Sequence, residues 1–317
     1  TFLRGNSVET TLSYLELEED ANRMANTFRT MGVEMGDRVI LFFPKSLAFV
    51  VAHLALQKLG VVAVPLNPGL KKSEMAYFIA DAAARLVLAG SEQQAMIKDI
   101  APDLTTLVIA TEKPYREMDF LRSGSAATPP VDITPQDPGL IIYTSGTTGQ
   151  PKGAVLTQQN LLHDGKNIVC IWEISERDVL CHALPLFHIH GLCFALHTAF
   201  MAGAHVLLLD GFTPDAVISL LANKEGDGVC TLFMAVPSMY GKLLEYVGDR
   251  GIAFDHMRLW TSGSAPLLPG DFARIKKIFG KEPVEREGMS ETGMNFSNPV
   301  RGVRKPGSIG LPLPGLQ

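Results

Sequence analysis

Apolar and polar positions fall in alternating blocks along the chain, and the blocks predict helices and strands in turn. Ser13-x-x-Glu16 forms a capping box. Behind it, Leu17, Ala21, Met24, Ala25, Phe28 and Met31 keep helical spacing, and Gly32 closes the helix. Arg38 to Phe43 reads as a strand, Ser46 to Leu59 as a helix ended by Gly60, and Val61 to Pro65 as a strand. Glu74 to Ala84 is predicted helical and Leu86 to Ala89 extended. A further helix leads to a strand over Thr105 to Ala110. The strands are continuously apolar rather than alternating, which predicts an α/β chain whose sheet is covered on both faces.

Between residues 122 and 139 the pattern breaks. Ser123, Gly124, Ser125, Pro129, Pro130, Pro135 and Pro138 mark an exposed connection, and they divide the chain into expected units of residues 1–130 and 131–317. The alternation then resumes. Thr157 caps a helix to about Cys170, and Val179 to Leu184 is a strand. Leu192 to Met201 is predicted helical and His205 to Leu209 extended. Thr213-Pro214-Asp215 starts a helix with proline in its first turn. Val229 to Val236 and Met257 to Ser262 read as strands, and Pro237 to Val247 and Pro269 to Phe279 as helices.

Composition narrows the class. With 317 residues, 46% hydrophobic and 19% charged, the chain has ample material for a folded core. A net charge of −5 gives no reason to expect a nucleic-acid partner. The segments Leu47 to Leu66 and 182–209 are the most apolar. His53, Gln57 and Lys58 interrupt the first, and Pro185, Gly191, Gly203 and several histidines interrupt the second, so both are expected in the core rather than as a membrane span. Cys170, Cys181, Cys193 and Cys230 form no C-x-x-C pair and sit among apolar residues, the pattern of reduced core cysteines in a cytoplasmic protein. Thr1 to Thr11 is mixed and polar, with no signal peptide.

The densest chemistry follows the apolar run Leu140-Ile141-Ile142-Tyr143. Thr144, Ser145, Gly146, Thr147, Thr148, Gly149, Lys152 and Gly153 supply hydroxyls, glycines and a lysine within one loop. Glycine lets several backbone N–H groups point at one spot, and a lysine adds a point charge, as a polyphosphate requires. Lys152 precedes Gly153 and Ala154 follows, so the loop is not of the Walker type. Three other polar segments follow predicted strands, where α/β sheets gather ligands. Pro185 to Gly191 carries His188 and His190, which line a pocket or pack and have no carboxylate or cysteine beside them to complete a metal site. Thr261 to Leu267 is rich in small residues, suited to close approach of a flat ring or to a plain strand-to-helix turn. Glu285 to Thr292 is either a solvated charge run or a carboxylate site for Mg²⁺, which takes one or two carboxylates with phosphate oxygens.

Together these segments resemble the AMP-forming acyl-CoA synthetase superfamily. The residues that carry this are Tyr143 to Gly153, Pro185 to Gly191, Gly263-Ser264-Ala265-Pro266, Gly288-Met289-Ser290-Glu291 and Gly307 to Pro312, in that order. Gly36-Asp37-Arg38-Val39 and Pro65-Leu66-Asn67-Pro68 also look like that family. Within it, His182 to Pro185, His188-x-His190-Gly191, Met257-Arg258-Leu259, Ser262 to Leu268, Met294-Asn295 and Ser297 to Pro299 look most like malonyl-CoA synthetases.

The resemblance implies two stacked αβα subdomains with mostly parallel sheets. It implies an acid–thiol ligase that joins a carboxylate to the α-phosphorus of ATP and passes the acyl group to CoA. Thr144, Ser145, Gly146, Thr147, Thr148, Gly149 and Lys152 would hold the β- and γ-phosphates, Ser290 the α-phosphate, and Glu291 a Mg²⁺ ion. Gly263, Ser264, Ala265 and Pro266 with Arg286, Glu287, Gly288 and Met289 would frame the adenine. His188, His190, Val236, Lys242, Arg286 and Met294 would border the acyl group, with His188 gating or orienting its carboxylate.

Two positions depart from the family pattern. Glu287 stands where an aromatic residue, typically Tyr, is usual, and Lys242 stands where malonyl-CoA synthetases tend to carry Arg; Arg286 and Arg258 remain as candidate cations. The chain starts at Thr1 and stops at Gln317, before the family's ribose-binding aspartate, hinge and small C-terminal domain with its catalytic lysine. The expectation is an N-terminal fragment that is impaired alone and partnered by that C-terminal domain. The alternatives are a medium- or long-chain fatty or aryl acid ligase, or a non-catalytic nucleotide- or acyl-adenylate-binding module.

Overall fold

The computed structural model describes residues 1–144, 149–226 and 228–316. The first half runs β1 (Phe2–Arg4), β2 (Ser7–Thr10), α1 (Tyr14–Thr30), β3 (Arg38–Phe42), α2 (Leu47–Lys58), β4 (Val62–Pro65), α3 (Lys72–Asp81), β5 (Leu86–Gly90), α4 (Gln94–Ile100), β6 (Thr106–Ile109) and α5 (Phe120–Ser123). The second runs β7 (Pro138–Thr144), β8 (Lys152–Thr157), α6 (Gln158–Ile171), β9 (Val179–His182), a π-helical segment (His190–His197), α7 (Thr198–Met201), β10 (His205–Leu209) and α8 (Pro214–Ala222). It closes with β11 (Leu232–Ala235), α9 (Pro237–Val247), β12 (Leu259–Ser262), α10 (Pro269–Phe279), β13 (Val284–Met289), β14 (Gly293–Ser297) and β15 (Leu311–Pro312).

The caps act as the pattern predicts. Ser13 and Glu16 satisfy each other's backbone donors at the start of α1, and Thr157 does the same with Asn160 at α6. Ser46 and Thr213 cap α2 and α8 through their hydroxyls.

The strands form two sheets. One has the order β6-β5-β3-β4-β7-β8, the other β15-β14-β13-β12-β11-β9-β10-β1-β2. Pairing is parallel within β6 to β7 and from β13 through β1, with antiparallel strands at the edges. One continuous apolar cluster joins both sheets, from Phe28 and Leu41 to Leu180, Phe233 and Trp260.

Several expectations need correction. The sheets do not divide the chain at residue 130. β7 and β8 join the first sheet through Ala63 and Leu140, and β1 joins the second beside β10. The strands that flank residues 145–151, β7 and β8, therefore belong to the first sheet, although they follow the proline-rich connection. The mixed, polar N-terminal segment forms the β1–β2 hairpin, with Phe2 and Leu3 buried beside β10. The helix expected over Leu192 to Met201 starts earlier, at His190, and its first stretch is π-helical. Glu285 to Thr292, read as a solvated charge run or a carboxylate site, forms most of β13 and its turn into β14. Cys170 is exposed, since it lies on the outer face of α6, whereas Cys181, Cys193 and Cys230 are buried.

Candidate functional site

The carboxyl ends of strands from both sheets converge on one cavity of about 890 Å³. Phe43 to Lys45 after β3, Pro68 after β4 and Thr144 at the end of β7 line it from the first sheet. The second sheet contributes the 183–191 segment after β9, Asp210 to Phe212 after β10, Val236 after β11, Ser264 after β12 and Gly288 to Glu291 at β13.

At its polar side the Thr144 hydroxyl donates to Glu291 Oε1 at 3.0 Å, joining the end of β7 to the β13–β14 turn. Lys152 faces Thr144 in register across the hairpin. The turn end of that hairpin is fixed by Tyr143 Oη donating to Asp81 at 2.6 Å and Tyr77 Oη donating to the Pro151 carbonyl at 2.7 Å. Ser145, Gly146, Thr147 and Thr148 lie outside the described residues.

Behind another part of the wall sits a buried cation. Arg286 is only 3% exposed. Its guanidinium lies over the Phe194 ring at 4.9 Å, and Nη2 reaches Ser264 Oγ at 3.4 Å. Among the described residues its Nε and Nη1 find no hydrogen-bond acceptor. Burial pulls its pKa down to about 10, while Asp164 and Glu287 oppose the fall. Burial likewise pushes the Asp164 carboxyl up to about 6, against the Met294 backbone N–H that donates to it at 3.0 Å.

Ser264 adopts a left-handed backbone (φ 67°), rare outside glycine, and this places its hydroxyl 3.2 Å from His190 Nδ1. Burial, with Arg286 beside it, holds His190 well below its ordinary pKa, so the ring is neutral. Its Nε2 is buried and lacks a partner among the described residues. An arginine, a serine hydroxyl and a neutral imidazole thus present unmatched polar capacity at one place, where an unpaired group is costly until a ligand matches it.

The structure brings together at the cavity Thr144, His188, His190, Val236, Ser264, Gly288, Met289, Ser290 and Glu291 from the predicted set. Lys152 pairs with Thr144, Gly263 and Ala265 flank Ser264, and Arg286 and Glu287 precede Gly288 along β13, but none of these, nor Gly149 or Pro266, lines the cavity. Glu287 is half-buried, and its carboxylate accepts from Asn295 Nδ2 at 3.1 Å.

Two expected acyl-pocket residues are misplaced. Lys242 is on the exposed face of α9; six residues beyond Val236, a helix has turned about 240° from it. Met294 turns into the apolar core, 3% exposed. Arg258 is likewise committed elsewhere, its guanidinium forked onto Asp178 at 2.8 and 2.9 Å. Lys45, Asp210 and Asp164 were not anticipated. For Asp210 a signal existed, since it directly follows a strand.

Among the described residues no group of three His, Cys, Asp or Glu is arranged to hold a metal, and no helix is long and apolar enough to cross a membrane.

The model of the AMP-binding enzyme family matches residues 2–317. The mitochondrial malonate–CoA ligase of Mus musculus is 34% identical over 331 residues, covering 96% of this chain and 55% of the relative. The oxalate–CoA ligase of Arabidopsis thaliana is 31% identical, covering 94% of this chain and 59% of its own length. ATP-bound MatB from Rhodopseudomonas palustris superimposes with a TM-score of 0.90 at 35% identity, covering 99% of this chain and 61% of that one. The chain thus spans a little over half the length of these relatives.

Proposed function

The chain belongs to the AMP-binding enzyme family, and from that premise we propose that it forms the substrate site of an ATP-dependent acid–CoA ligase whose acid is a short dicarboxylate. One observation carries this reading. A single cavity is bordered both by the Thr144–Glu291 pair and by the Ser264–His190 pair with Arg286 behind it. The first suits phosphates. The second suits a carboxylate, which accepts from arginine, hydroxyl and imidazole donors. Relatives named for malonate and oxalate, both dicarboxylates, support the same class.

In the proposed reaction a carboxylate oxygen of the acid attacks the α-phosphorus of ATP and pyrophosphate leaves. The CoA sulfur then attacks the acyl carbon, and AMP leaves. The residues present fit a Mg²⁺ ion: the Thr144 hydroxyl and the Glu291 carboxylate are hard oxygen donors in contact, and such an ion keeps several waters or phosphate oxygens. When bound it neutralises phosphate charge. Ser290 holds the α-phosphate from the turn after β13. Lys152 and the loop before it hold the leaving group, and His188 orients the reacting carboxylate. Positioning and charge stabilisation supply the rate. The C-terminal domain of the longer protein completes the site.

A second reading is favoured by the wall itself. Phe43, Phe49, Leu184, Leu186, Phe187, Ile189, Phe212 and Met239 make it largely apolar, which suits an aryl or medium-chain acid.

Carboxylate-dependent ATP–pyrophosphate exchange by the full-length protein separates the two. Exchange with malonate or oxalate exceeding that with benzoate or octanoate is expected. Exchange with the monocarboxylates alone selects the second reading. No exchange with any acid, together with a thermal shift in ATP and Mg²⁺, selects a non-catalytic nucleotide-binding module, and a flat thermal-shift series counts against any nucleotide role.

A further inference from the structure

Lys45 is the one lysine or arginine among the described residues that lines the cavity. It stands in the turn between β3 and α2, on the first sheet. Its Nζ lies 3.0 Å from His182 Nδ1 and donates to the His182 carbonyl at 2.9 Å. His182 is the last residue of β9, on the second sheet, and is 1% exposed. Its Nε2 lies 2.8 Å from the Gly191 carbonyl.

The proton positions follow from the acceptors. A carbonyl oxygen only accepts, so His182 Nε2 carries the hydrogen. Its Nδ1 then has a lone pair and takes a proton donor from Lys45. Burial, with Lys45 beside it, drives the His182 pKa down to about 3, so the imidazole stays neutral. Burial also lowers Lys45 to about 7, opposed by Cys181 and Asp210. An uncharged amine still has two N–H groups, enough for both His182 acceptors.

The far end of this chain is a tight spot. A Cβ on residue 191 would stand 2.0 Å from the Pro185 carbonyl oxygen, so only glycine lets the 185–191 segment fold back on itself. The same segment opens the π-helical stretch, an irregularity that is frequent where function shapes a helix. Nothing else described holds Gly191 O to the second sheet's β9.

We propose that Lys45 and His182 are positioning residues: the Lys45–His182–Gly191 hydrogen-bond chain sets where the 185–191 segment, and with it His188 and His190, stands in the cavity. The inference rests on the reading that this segment receives the acyl group. It makes acyl recognition depend on a lysine from the opposite sheet, while the phosphate side is left to Thr144 and Glu291.

Two measurements test it. In the protein labelled with ¹⁵N-histidine, long-range proton–nitrogen spectra at pH 7 should show His182 as the neutral Nε2–H tautomer, identified by its loss in His182→Gln. An Nδ1–H tautomer or a charged ring overturns the chain of bonds. In the full-length protein, calorimetry compares ATP with a non-hydrolysable malonyl-sulfamoyl adenosine. Lys45→Met should weaken the acyl analogue roughly tenfold, the worth of about one hydrogen bond, and ATP less than twofold. Lys45→Arg should restore most of the loss. Equal weakening of both ligands, or none of either, overturns the positioning role. If the wild type binds neither ligand, the substrate reading fails, and the tautomer decides the hydrogen-bond chain by itself.

Discussion

Gly263 lies against the guanidinium of Arg286 with no room for a side chain: a Cβ there would stand 2.4 Å from Nε and 2.6 Å from Cζ. The glycine that follows β12 therefore sets the place of the buried cation on β13. Gly263→Ala should displace Arg286 at an overpacking cost of about 1–3 kcal/mol. The expected result is a lower urea midpoint together with weaker binding of a dicarboxylate adenylate analogue. An unchanged midpoint and unchanged affinity would show that Arg286 has another place to lie.

Arg286 itself should cost the unliganded fold stability, since it is buried with two donors unmatched among the described residues. Replacing such a charge by a well-packed apolar group is often neutral or stabilising. Arg286→Met is expected to raise the unliganded melting temperature, while dicarboxylate-dependent exchange falls about 100-fold. A drop in both would mean that the cation is structural. The variant should also raise Asp164 above its present value of about 6, because the nearby positive charge is gone.

Much of this arrangement was legible in the sequence, and the exceptions have physical reasons. Helices α9 and α10 begin at Pro237 and Pro269, residues that fix φ for a first turn, and the pattern located both to the residue. The β13–β14 hairpin was hidden because Glu285, Arg286 and Glu287 look like a solvated run, yet Glu285 and Arg286 are 6% and 3% exposed. Hydropathy does not register charge that tertiary packing buries. Lys45 was invisible for a related reason: its partner His182 is 137 residues away, and no local pattern announces that meeting.

Acid should destabilise the fold before its carboxylates are protonated. His53, His182, His190 and His197 are buried and held below the ordinary value near 6.5, His197 at about 4 and His182 at about 3. Below pH 6.5 the unfolded chain takes up protons that the folded chain refuses. Stability therefore falls as pH drops through the window from about 6.5 to 4, by up to roughly 1.4 kcal/mol per pH unit for each histidine. Asp164, Asp20 and Glu285, raised by burial, act in the opposite sense, because the folded state binds their protons first. Four histidines should outweigh them. Urea midpoints at pH 7.5 and 5.0 check the sign, and a midpoint that rises on acidification would refute it. The variant His197→Phe should flatten the dependence.

Glu287 occupies a half-buried position on β13, paired across the strand with Phe296 and bonded to Asn295. The family resemblance would put this position beside the adenine, where Glu287 adds negative charge to that of the phosphates and offers no ring to stack. Glu287→Tyr removes the charge and supplies the ring, at the cost of one part-buried hydrogen bond from Asn295. Base–aromatic stacking is worth about 1–3 kcal/mol, so ATP affinity should rise at least fivefold. Glu287→Gln, which removes the charge alone, should recover only part of that gain. Isothermal titration with ATP and Mg²⁺ on all three proteins separates the two contributions. If the Gln and Tyr variants gain equally, repulsion rather than the missing ring is what Glu287 costs the site.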